Sequence, residues 1–188
     1  MILVMLALAT VPFAQASSND KACFASLDRG SKCEEHGPVI KYYFDLELMT
    51  CFPFLMEGCS SGKNVFTSEQ ECYNRCTLAD EFTCGANSKP QGHCTAADDH
   101  ACKNGTRCVL GPEIGYCCDA KTQDAWIAEI TPKCQEGELV EANFWYGKTR
   151  YLGRKCEHKF CPEGSECIEG KWRAHCCSRN KEIPIEAS

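Results

Sequence analysis

The clearest pattern of apolar and polar positions lies in residues 23–76. An aromatic, β-prone run, Ile40-Lys41-Tyr42-Tyr43-Phe44, is followed by a second cluster, Phe52-Pro53-Phe54. Aromatic and β-branched residues favour strands, so the two clusters predict a β-hairpin. A hairpin of this size buries too little apolar area to be stable alone, so we expect covalent cross-links to support it.

A short helix is predicted at the end of the same segment, from Ser68 to Cys76. Ser68 and Glu71 have the capping-box spacing. Cys72 and Cys76 are four residues apart and therefore fall on one helical face.

Beyond residue 76 the pattern is weaker. The apolar residues of 124–130 have mixed spacing that does not distinguish helix from strand, and we expect Trp126 to cover a small hydrophobic patch. The aromatic insert Phe144-Trp145-Tyr146 is expected to be a strand that packs a small core, with a partner-binding patch as the alternative. The tail, residues 178–188, is expected to be disordered.

The first 16 residues are apolar and end in Ala14-Gln15-Ala16, a small-x-small cleavage pattern. This predicts a secretory signal peptide at 1–16, with an uncleaved anchor as the alternative. The run is short for a membrane span. We therefore expect a mature chain that is soluble, secreted and extracellular.

The composition points to a disulfide scaffold. There are 18 cysteines in 188 residues, all beyond the predicted signal peptide, and they fall into three sets of six. An even set in an oxidising compartment predicts disulfides. The formal net charge of −6 argues against nucleic acid as a partner and offers nothing to attract an anionic membrane.

The second and third sets of cysteines form an internal repeat. The pattern Cys102-x5-Cys108-x8-Cys117-Cys118 recurs as Cys161-x5-Cys167-x8-Cys176-Cys177. Two further cysteines precede each copy: Cys84 and Cys94 in the first, Cys134 and Cys156 in the second. This predicts two cysteine-rich modules, 84–118 and 134–177, whose internal pairing the sequence leaves open.

No catalytic or metal-binding chemistry is predicted. Three sets of six leave no spare thiolate for cysteine catalysis. His93 and His175 lie beside cysteines, but the spacings of zinc sites are absent, so we expect no metal and no cofactor. Nucleophile-elbow, phosphate-loop and HExxH motifs are also absent, and we expect no enzyme. Asn104-Gly105-Thr106 fits a glycosylation sequon at Asn104 in an exposed turn.

Residues 23–76 resemble the Kunitz (pancreatic trypsin inhibitor) family. The cysteines read C-x9-C-x17-C-x7-C-x12-C-x3-C, and Gly58, Asn64 and Phe66 match family positions. The resemblance implies a small disulfide-rich α+β domain, a twisted β-hairpin plus a C-terminal helix. It also implies the disulfides Cys23–Cys76, Cys33–Cys59 and Cys51–Cys72.

The two modules that follow resemble lustrin-type cysteine-rich repeats, which accompany Kunitz domains in secreted nematode proteins. They are also loosely similar to whey-acidic-protein domains. Those domains have eight cysteines, two of them beyond the vicinal pair, and nothing suitable follows Cys177. The lustrin-like interpretation is therefore preferred, and it implies two small, disulfide-rich modules of loops and β-strands.

The Kunitz resemblance implies inhibition of an extracellular serine protease by a rigid, substrate-like loop after the second cysteine. Ordering such a loop at folding leaves little entropy to lose on binding. The residue before the scissile peptide, P1, enters the specificity pocket of the protease. The implied protease-contact residues are Cys33, Glu34, Glu35, His36, Gly37, Pro38, Val39 and Glu57.

This sequence departs from the family within the implied loop. The spacing from Cys33 to Cys51 is two residues longer than usual and the first spacing one longer. Counting from Cys33 makes Glu34 the P1 residue, whereas counting back from the strand makes it His36. Neither suits trypsin, whose pocket has an aspartate at its base. Glu57 replaces a common glycine, and Met49 occupies a turn position that is often glycine, so we expect a different turn there.

Two other functions remain open at this point. A Kunitz scaffold that has lost antiprotease action could bind an ion channel, a receptor or a matrix component. The cysteine-rich modules could alternatively belong to a structural matrix or cuticle protein. In both cases Glu34 and Glu35 would be part of a solvated acidic loop.

Overall fold

The structure, a computed structural model, describes residues 20–77, 83–95, 101–111, 114–144, 147–179 and 185–186. The predicted signal peptide at 1–16 and the residues Trp145 and Tyr146 lie outside this part. Among the residues described, no helix is long and apolar enough to cross a membrane.

The described residues contain two α-helices and several short strands. The helices are α1 (Glu69–Cys76) and α2 (Ala120–Ile130). The strands are β1 (Val39–Asp45), β2 (Thr50–Met56), β3 (His93–Cys94), β4 (Thr106–Leu110), β5 (Gly115–Asp119), β6 (Glu138–Leu139), β7 (Glu141–Phe144), β8 (Gly147–Arg150), β9 (Leu152–Gly153), β10 (Ser165–Glu169), β11 (Ala174–Ser178) and β12 (Ile185–Glu186).

These strands form four small sheets. Strands β1 and β2 make a two-stranded sheet, and β3, β5 and β4 make a three-stranded sheet in that order. Strand β11 pairs with β10, β6 and β9, and β7 lies between β12 and β8. The pair β7–β12 is parallel, and the other pairs are antiparallel.

The predicted hairpin is present as β1 and β2, with Tyr42 opposite Pro53. Proline is tolerated in this two-stranded sheet because both strands are edge strands. The turn between them places Met49 at φ 51°, the left-handed region that glycine usually occupies. The expected effect of Met49 is therefore corrected: methionine itself adopts the left-handed conformation. The Asp45 carboxylate holds the turn by accepting a hydrogen bond from the backbone N–H of Leu48 at 3.0 Å.

The predicted helix is also present. Ser68 is the N-cap of α1 and its hydroxyl accepts a hydrogen bond from the backbone N–H of Glu71. The carboxylate of Glu71 accepts in return from the backbone N–H of Thr67, one residue before the cap. Cys72 and Cys76 are both buried on the face that meets the hairpin.

Buried Asn64 joins the hairpin to the segment that precedes it. Its side-chain oxygen accepts from the N–H of Phe44 at 2.8 Å, and its amide donates to the carbonyl oxygens of Phe44 and Ala25, both at 2.9 Å. Tyr42 and Phe66 exchange two backbone hydrogen bonds beside it. These contacts form the first core of the domain, together with the buried cysteines of α1.

All 18 cysteines are paired in nine disulfides. Residues 23–76 contain Cys23–Cys76, Cys33–Cys59 and Cys51–Cys72, the pairs that the Kunitz resemblance implies. The first repeat, which we define as residues 84–118, contains Cys84–Cys118, Cys94–Cys108 and Cys102–Cys117. The second repeat, residues 134–177, contains Cys134–Cys177, Cys156–Cys167 and Cys161–Cys176.

The two repeats share one internal connectivity. In both, the first cysteine pairs with the sixth, the second with the fourth and the third with the fifth. Each repeat also contains one two-stranded hairpin in the same register, with Cys108 opposite Cys117 and Cys167 opposite Cys176. The internal repeat seen in the sequence is therefore a repeat of structure.

The face of the hairpin opposite α1 is covered by the C-terminal part of the chain. Phe52 and Phe54 have no exposed surface, and they belong to a second core that includes Trp126 of α2 and Trp172 of the second repeat. The guanidinium of Arg173 lies between two rings, 5.1 Å from the centroid of Phe52 and 4.4 Å from that of Trp126. We refer to this contact, together with Tyr43 and Phe54, as the aromatic seam.

Helix α2 holds the second repeat in place at the seam. Glu129 accepts hydrogen bonds from the backbone N–H groups of Lys171, Trp172 and Arg173, at 2.7, 2.8 and 2.9 Å. The turn between β10 and β11 is thereby fixed with Trp172 and Arg173 directed at the hairpin.

The first repeat packs on the other side of α2. A Cβ on Gly85 would lie only 2.8 Å from that of Trp126, and the Gly85 N–H donates to the side chain of Gln123 at 2.8 Å. Helix α2 therefore contacts the first repeat, the second repeat and the hairpin.

Buried Arg154 ties the second repeat to the tip of the hairpin. Its guanidinium is 3.3 Å from the Asp45 carboxylate and 2.7 Å from that of Glu47, and it donates to the carbonyl oxygen of Trp172 at 3.0 Å. Only 8% of Arg154 is exposed, so this pairing is needed to offset the loss of hydration of its charge.

Two expectations for the C-terminal part need correction. Residues 124–130 belong to α2, which begins after Asp119, whose side chain accepts from the N–H of Thr122. The disordered tail was expected from Ser178, but this residue is buried and ends β11 opposite Glu138. Further along the chain, residues 185–186 pair with β7.

We expect Trp126→Ala to destabilise the whole chain, because it removes one of the two rings that enclose Arg173. For a half-buried tryptophan the expected loss is about 2 kcal/mol in the free energy of unfolding, measured by urea titration of the oxidised protein. The matched control is Ile127→Ala, because Ile127 is the next residue of α2 and is 42% exposed. Equal losses for the two variants would show that the seam contributes nothing special.

Candidate functional site

The segment between Cys33 and β1 is an exposed loop. Every side chain from Glu34 to Val39 is exposed, and Glu34 and Glu35 form a bend. Residues 36–38 have no regular secondary structure, and the chain enters β1 at Val39. The sequence-predicted contact residues are thus contiguous and open to a partner.

The base of this loop is braced covalently and by backbone hydrogen bonds. The disulfide Cys33–Cys59 joins it to the end of the hairpin. Beside this disulfide, Ser31 and Cys59 exchange two backbone hydrogen bonds of 2.9 and 3.0 Å. The backbone N–H of Glu57 donates to the carbonyl oxygen of Arg29 at 2.9 Å. Segment 57–59 therefore clamps the chain just before the loop.

Gly58 brings this clamp into contact with the middle of the loop. It has φ 151°, and a Cβ at this position would lie 2.7 Å from the carbonyl oxygen of Ser31 and 3.1 Å from that of His36. The His36 carbonyl oxygen also lies 3.7 Å from the sulfur of Cys33. Any side chain at position 58 would displace the loop, so glycine is required there.

The two P1 candidates differ in how their backbones are held. His36 is fixed by its contacts with Gly58 and with the disulfide, although its side chain is exposed. Glu34 directly follows Cys33 and is also exposed, but it lies in the bend that accommodates the lengthened loop. Gly37 has open space around it.

Glu57, the contact residue outside the loop, forms ion pairs with two cations. The same carboxylate oxygen lies 3.1 Å from a guanidinium nitrogen of Arg29 and 3.0 Å from the ammonium nitrogen of Lys159. The hydrogen bond from Lys159 holds the pKa of Glu57 below its ordinary value, and the charges of Lys159, Arg29 and Lys32 act in the same direction. Sequence reasoning missed Lys159, because it lies 102 residues from Glu57 and no local pattern indicates the contact.

The turn that carries Lys159 also buries a histidine against the hairpin. The ring of His158 meets that of Tyr43 edge to face, with centroids 5.4 Å apart. Burial lowers the pKa of His158 below its ordinary value, and the charges of Arg29, Lys155 and Arg154 lower it further, while Glu157 opposes them. The folded protein therefore disfavours a charged imidazole at this contact.

The histidines considered for metal binding lie close to sulfur atoms that are oxidised. His175 is near Cys134 and Cys177, but these two cysteines are bonded to each other. Cys94, which follows His93, is bonded to Cys108. Disulfide sulfurs are not thiolate ligands, so these groups do not have the donors of a zinc site. Asn104 is exposed in a turn before Gly105, which has φ 86°.

Comparisons with known proteins bear on residues 22–77 and on the chain as a whole. The family model of the Kunitz/Bovine pancreatic trypsin inhibitor domain matches residues 22–77. The chain is 46% identical over 156 residues to the BPTI/Kunitz inhibitor domain-containing protein C02F12.5 of Caenorhabditis elegans, covering 83% of this chain and 89% of that protein.

More distant relatives were also found. The chain is 30% identical over 166 residues to the major allergen Ani s 1 of Anisakis simplex, covering 82% of this chain and 86% of the allergen. It is 28% identical over 72 residues to the Kunitz-type serine protease inhibitor Hg1 of Hoffmannihadrurus gertschi, covering 38% of this chain and 80% of that inhibitor. No solved structure matches the chain significantly.

We expect the double substitution Cys33→Ala/Cys59→Ala to loosen the loop. Loop-closure entropy assigns about 3 kcal/mol of stability to a bridge of this span. The variant should lose that amount, and the amide order parameters of residues 34–37, measured by ¹⁵N relaxation, should fall. The control is Cys94→Ala/Cys108→Ala in the first repeat, which should leave the loop order parameters unchanged. Unchanged order parameters in both variants would mean that the bridge does not brace the loop.

We also expect acid to weaken the folded state through His158. As pH falls below the ordinary histidine pKa of about 6.5, the unfolded chain binds a proton that the folded protein binds only at lower pH. The free energy of unfolding should therefore decrease with falling pH in this range. His158→Phe keeps an aromatic ring against Tyr43 and should reduce that dependence, whereas His36→Phe at the exposed loop should not. Equal pH slopes for wild type and His158→Phe would contradict this account.

Proposed function

The chain belongs to the proteins that contain a Kunitz/BPTI inhibitor domain, and on that premise we propose that it is a secreted inhibitor of a serine protease. The inhibitory element is the loop at residues 33–39, which enters the cleft of the protease as a substrate would. The single observation that carries this proposal is that an exposed loop is cross-linked at its base and contacted at its middle by Gly58.

Preorganisation supplies the physical basis of inhibition. A loop that is ordered when the protein folds loses little further conformational entropy when it binds. After slow cleavage, the disulfide Cys33–Cys59 would hold the new chain ends close together, so the bond could form again. A relative named as a Kunitz-type serine protease inhibitor supports this mechanism by similarity.

We propose His36 as the P1 residue and Glu34 as the alternative. The contacts of the His36 backbone support the first choice, because P1 must be presented in a fixed conformation. The imidazole of His36 suits a wide, chymotrypsin-like pocket. Glu34 would place a carboxylate against the aspartate of a trypsin-like pocket, which costs several kcal/mol. The target is therefore a protease other than trypsin.

The rest of the chain fits an extracellular, non-catalytic protein. Nine disulfides and relatives with Kunitz domains suggest an oxidising, extracellular environment. In this proposal residues 1–16 are the signal peptide, residues 84–118 and 134–177 are lustrin-type modules, and Asn104 carries a glycan. The chain uses no metal or cofactor and is not an enzyme.

The lengthened loop favours a second candidate function. The bend at Glu34 and Glu35 exposes two carboxylates in the place where the family presents its inhibitory residues. An extracellular binding module could use this acidic bend to contact a channel, a receptor or a matrix component. The protease experiment below separates the two candidates.

We expect purified protein to inhibit at least one protease in a panel of trypsin, chymotrypsin, elastase and Glu-specific types. His36→Lys should redirect inhibition to trypsin, lowering Ki for trypsin about 100-fold, because the new side chain pairs with the aspartate of the pocket. If His36 is P1, Glu34→Lys and the neighbouring control Glu35→Lys should change this Ki little. A large gain with Glu34→Lys alone would assign P1 to Glu34. No inhibition by wild type or by any variant would reject the inhibitor function.

A further inference from the structure

Lys159 extends from a turn of the second repeat that is fixed against the Kunitz domain. The turn is held by Cys156–Cys167 and by a hydrogen bond from the Cys156 N–H to Glu169 at 2.8 Å. His158 packs on Tyr43, and Lys159 follows with φ 51°. The backbone of Lys159 is therefore anchored to the hairpin although 59% of its side chain is exposed.

The ammonium group of Lys159 reaches the clamp that contacts the loop. It lies 3.0 Å from the Glu57 carboxylate, which also pairs with Arg29. Glu57 directly precedes Gly58, whose Cα is in close contact with the carbonyl of His36. One ion pair thus connects the second repeat to the loop through two adjacent residues.

The side chain of Glu57 needs such a restraint. The Kunitz resemblance predicts glycine at this position, where a longer side chain lies near the face that a protease would cover. An unrestrained carboxylate would have many rotamers to lose on binding. Arg29 and Lys159 contact one oxygen of Glu57 and hold it in one position.

We propose that Lys159 is a positioning residue of the inhibitory site, acting through Glu57, so that the second repeat is a working part of the inhibitor. This inference rests on the proposed function of the loop. It implies that the second repeat contributes to affinity without occupying the specificity pocket of the protease.

A double-mutant cycle tests the inference in the full chain. Lys159→Met removes the charge and keeps the apolar stem, and Glu57→Gly removes the carboxylate. Lys159→Met should raise Ki about threefold for the protease that wild type inhibits, the scale expected of an exposed ion pair. In the Glu57→Gly background the same change should have no effect. The matched control is Lys155→Met in the same turn, which pairs with Glu157 and should leave Ki unchanged.

A second measurement does not depend on any protease. Carboxyl titration by NMR should show the pKa of Glu57 rising towards its ordinary value in Lys159→Met but not in Lys155→Met. The amide signals of His36 and Gly37 should shift in Lys159→Met alone.

The two measurements separate failure of the inference from failure of the proposed function. Unchanged Glu57 titration and unchanged loop signals in Lys159→Met would overturn the inference, as would an unchanged Ki. A wild-type chain that inhibits no protease, yet gives the expected NMR changes, would overturn the proposed inhibitor function while leaving the contact of Lys159 with the loop region intact.

Discussion

The burial of the second face of the Kunitz hairpin is the constraint on which the rest of the structure depends. Phe52 and Phe54 are completely buried, and Arg173 fills the space between Phe52 and Trp126. A cation between two aromatic faces, away from water, adds to the apolar contact around it. Without this seam the hairpin would expose an aromatic face, and the two repeats would have no common support.

The seam also determines which parts of the Kunitz domain remain open. One face of the hairpin packs on α1 and the other on the C-terminal part of the chain. Arg154 pairs with both acidic residues near the tip of the hairpin. The loop after Cys33 lies at the opposite end of β1 from this tip and stays exposed. Cross-links and docked repeats therefore leave a partner direct access to the loop that the proposed function requires.

Local patterns predicted the elements of residues 23–76, whereas contacts between distant segments were out of reach. The aromatic runs gave both strands, and Ser68 with Glu71 gave the start of α1, because these signals lie within a few residues of each other. The repeat was visible in cysteine spacing, but only the structure showed its pairing. Helix α2 was missed although Asp119 is a favourable N-cap, because its apolar residues are few and half of its surface is exposed. Lys159 and Arg173 carried no signal, since each meets a partner more than 40 residues away.

The contact between the aromatic face and the C-terminal part of the chain is tested most directly by ¹H–¹H NOE spectroscopy of the intact, oxidised protein in solution. The account predicts cross-peaks between the ring protons of Phe52 and the side chain of Arg173, and between the rings of Tyr43 and His158. Absence of both sets, with the Phe52 and Tyr43 rings in contact with solvent, would contradict it.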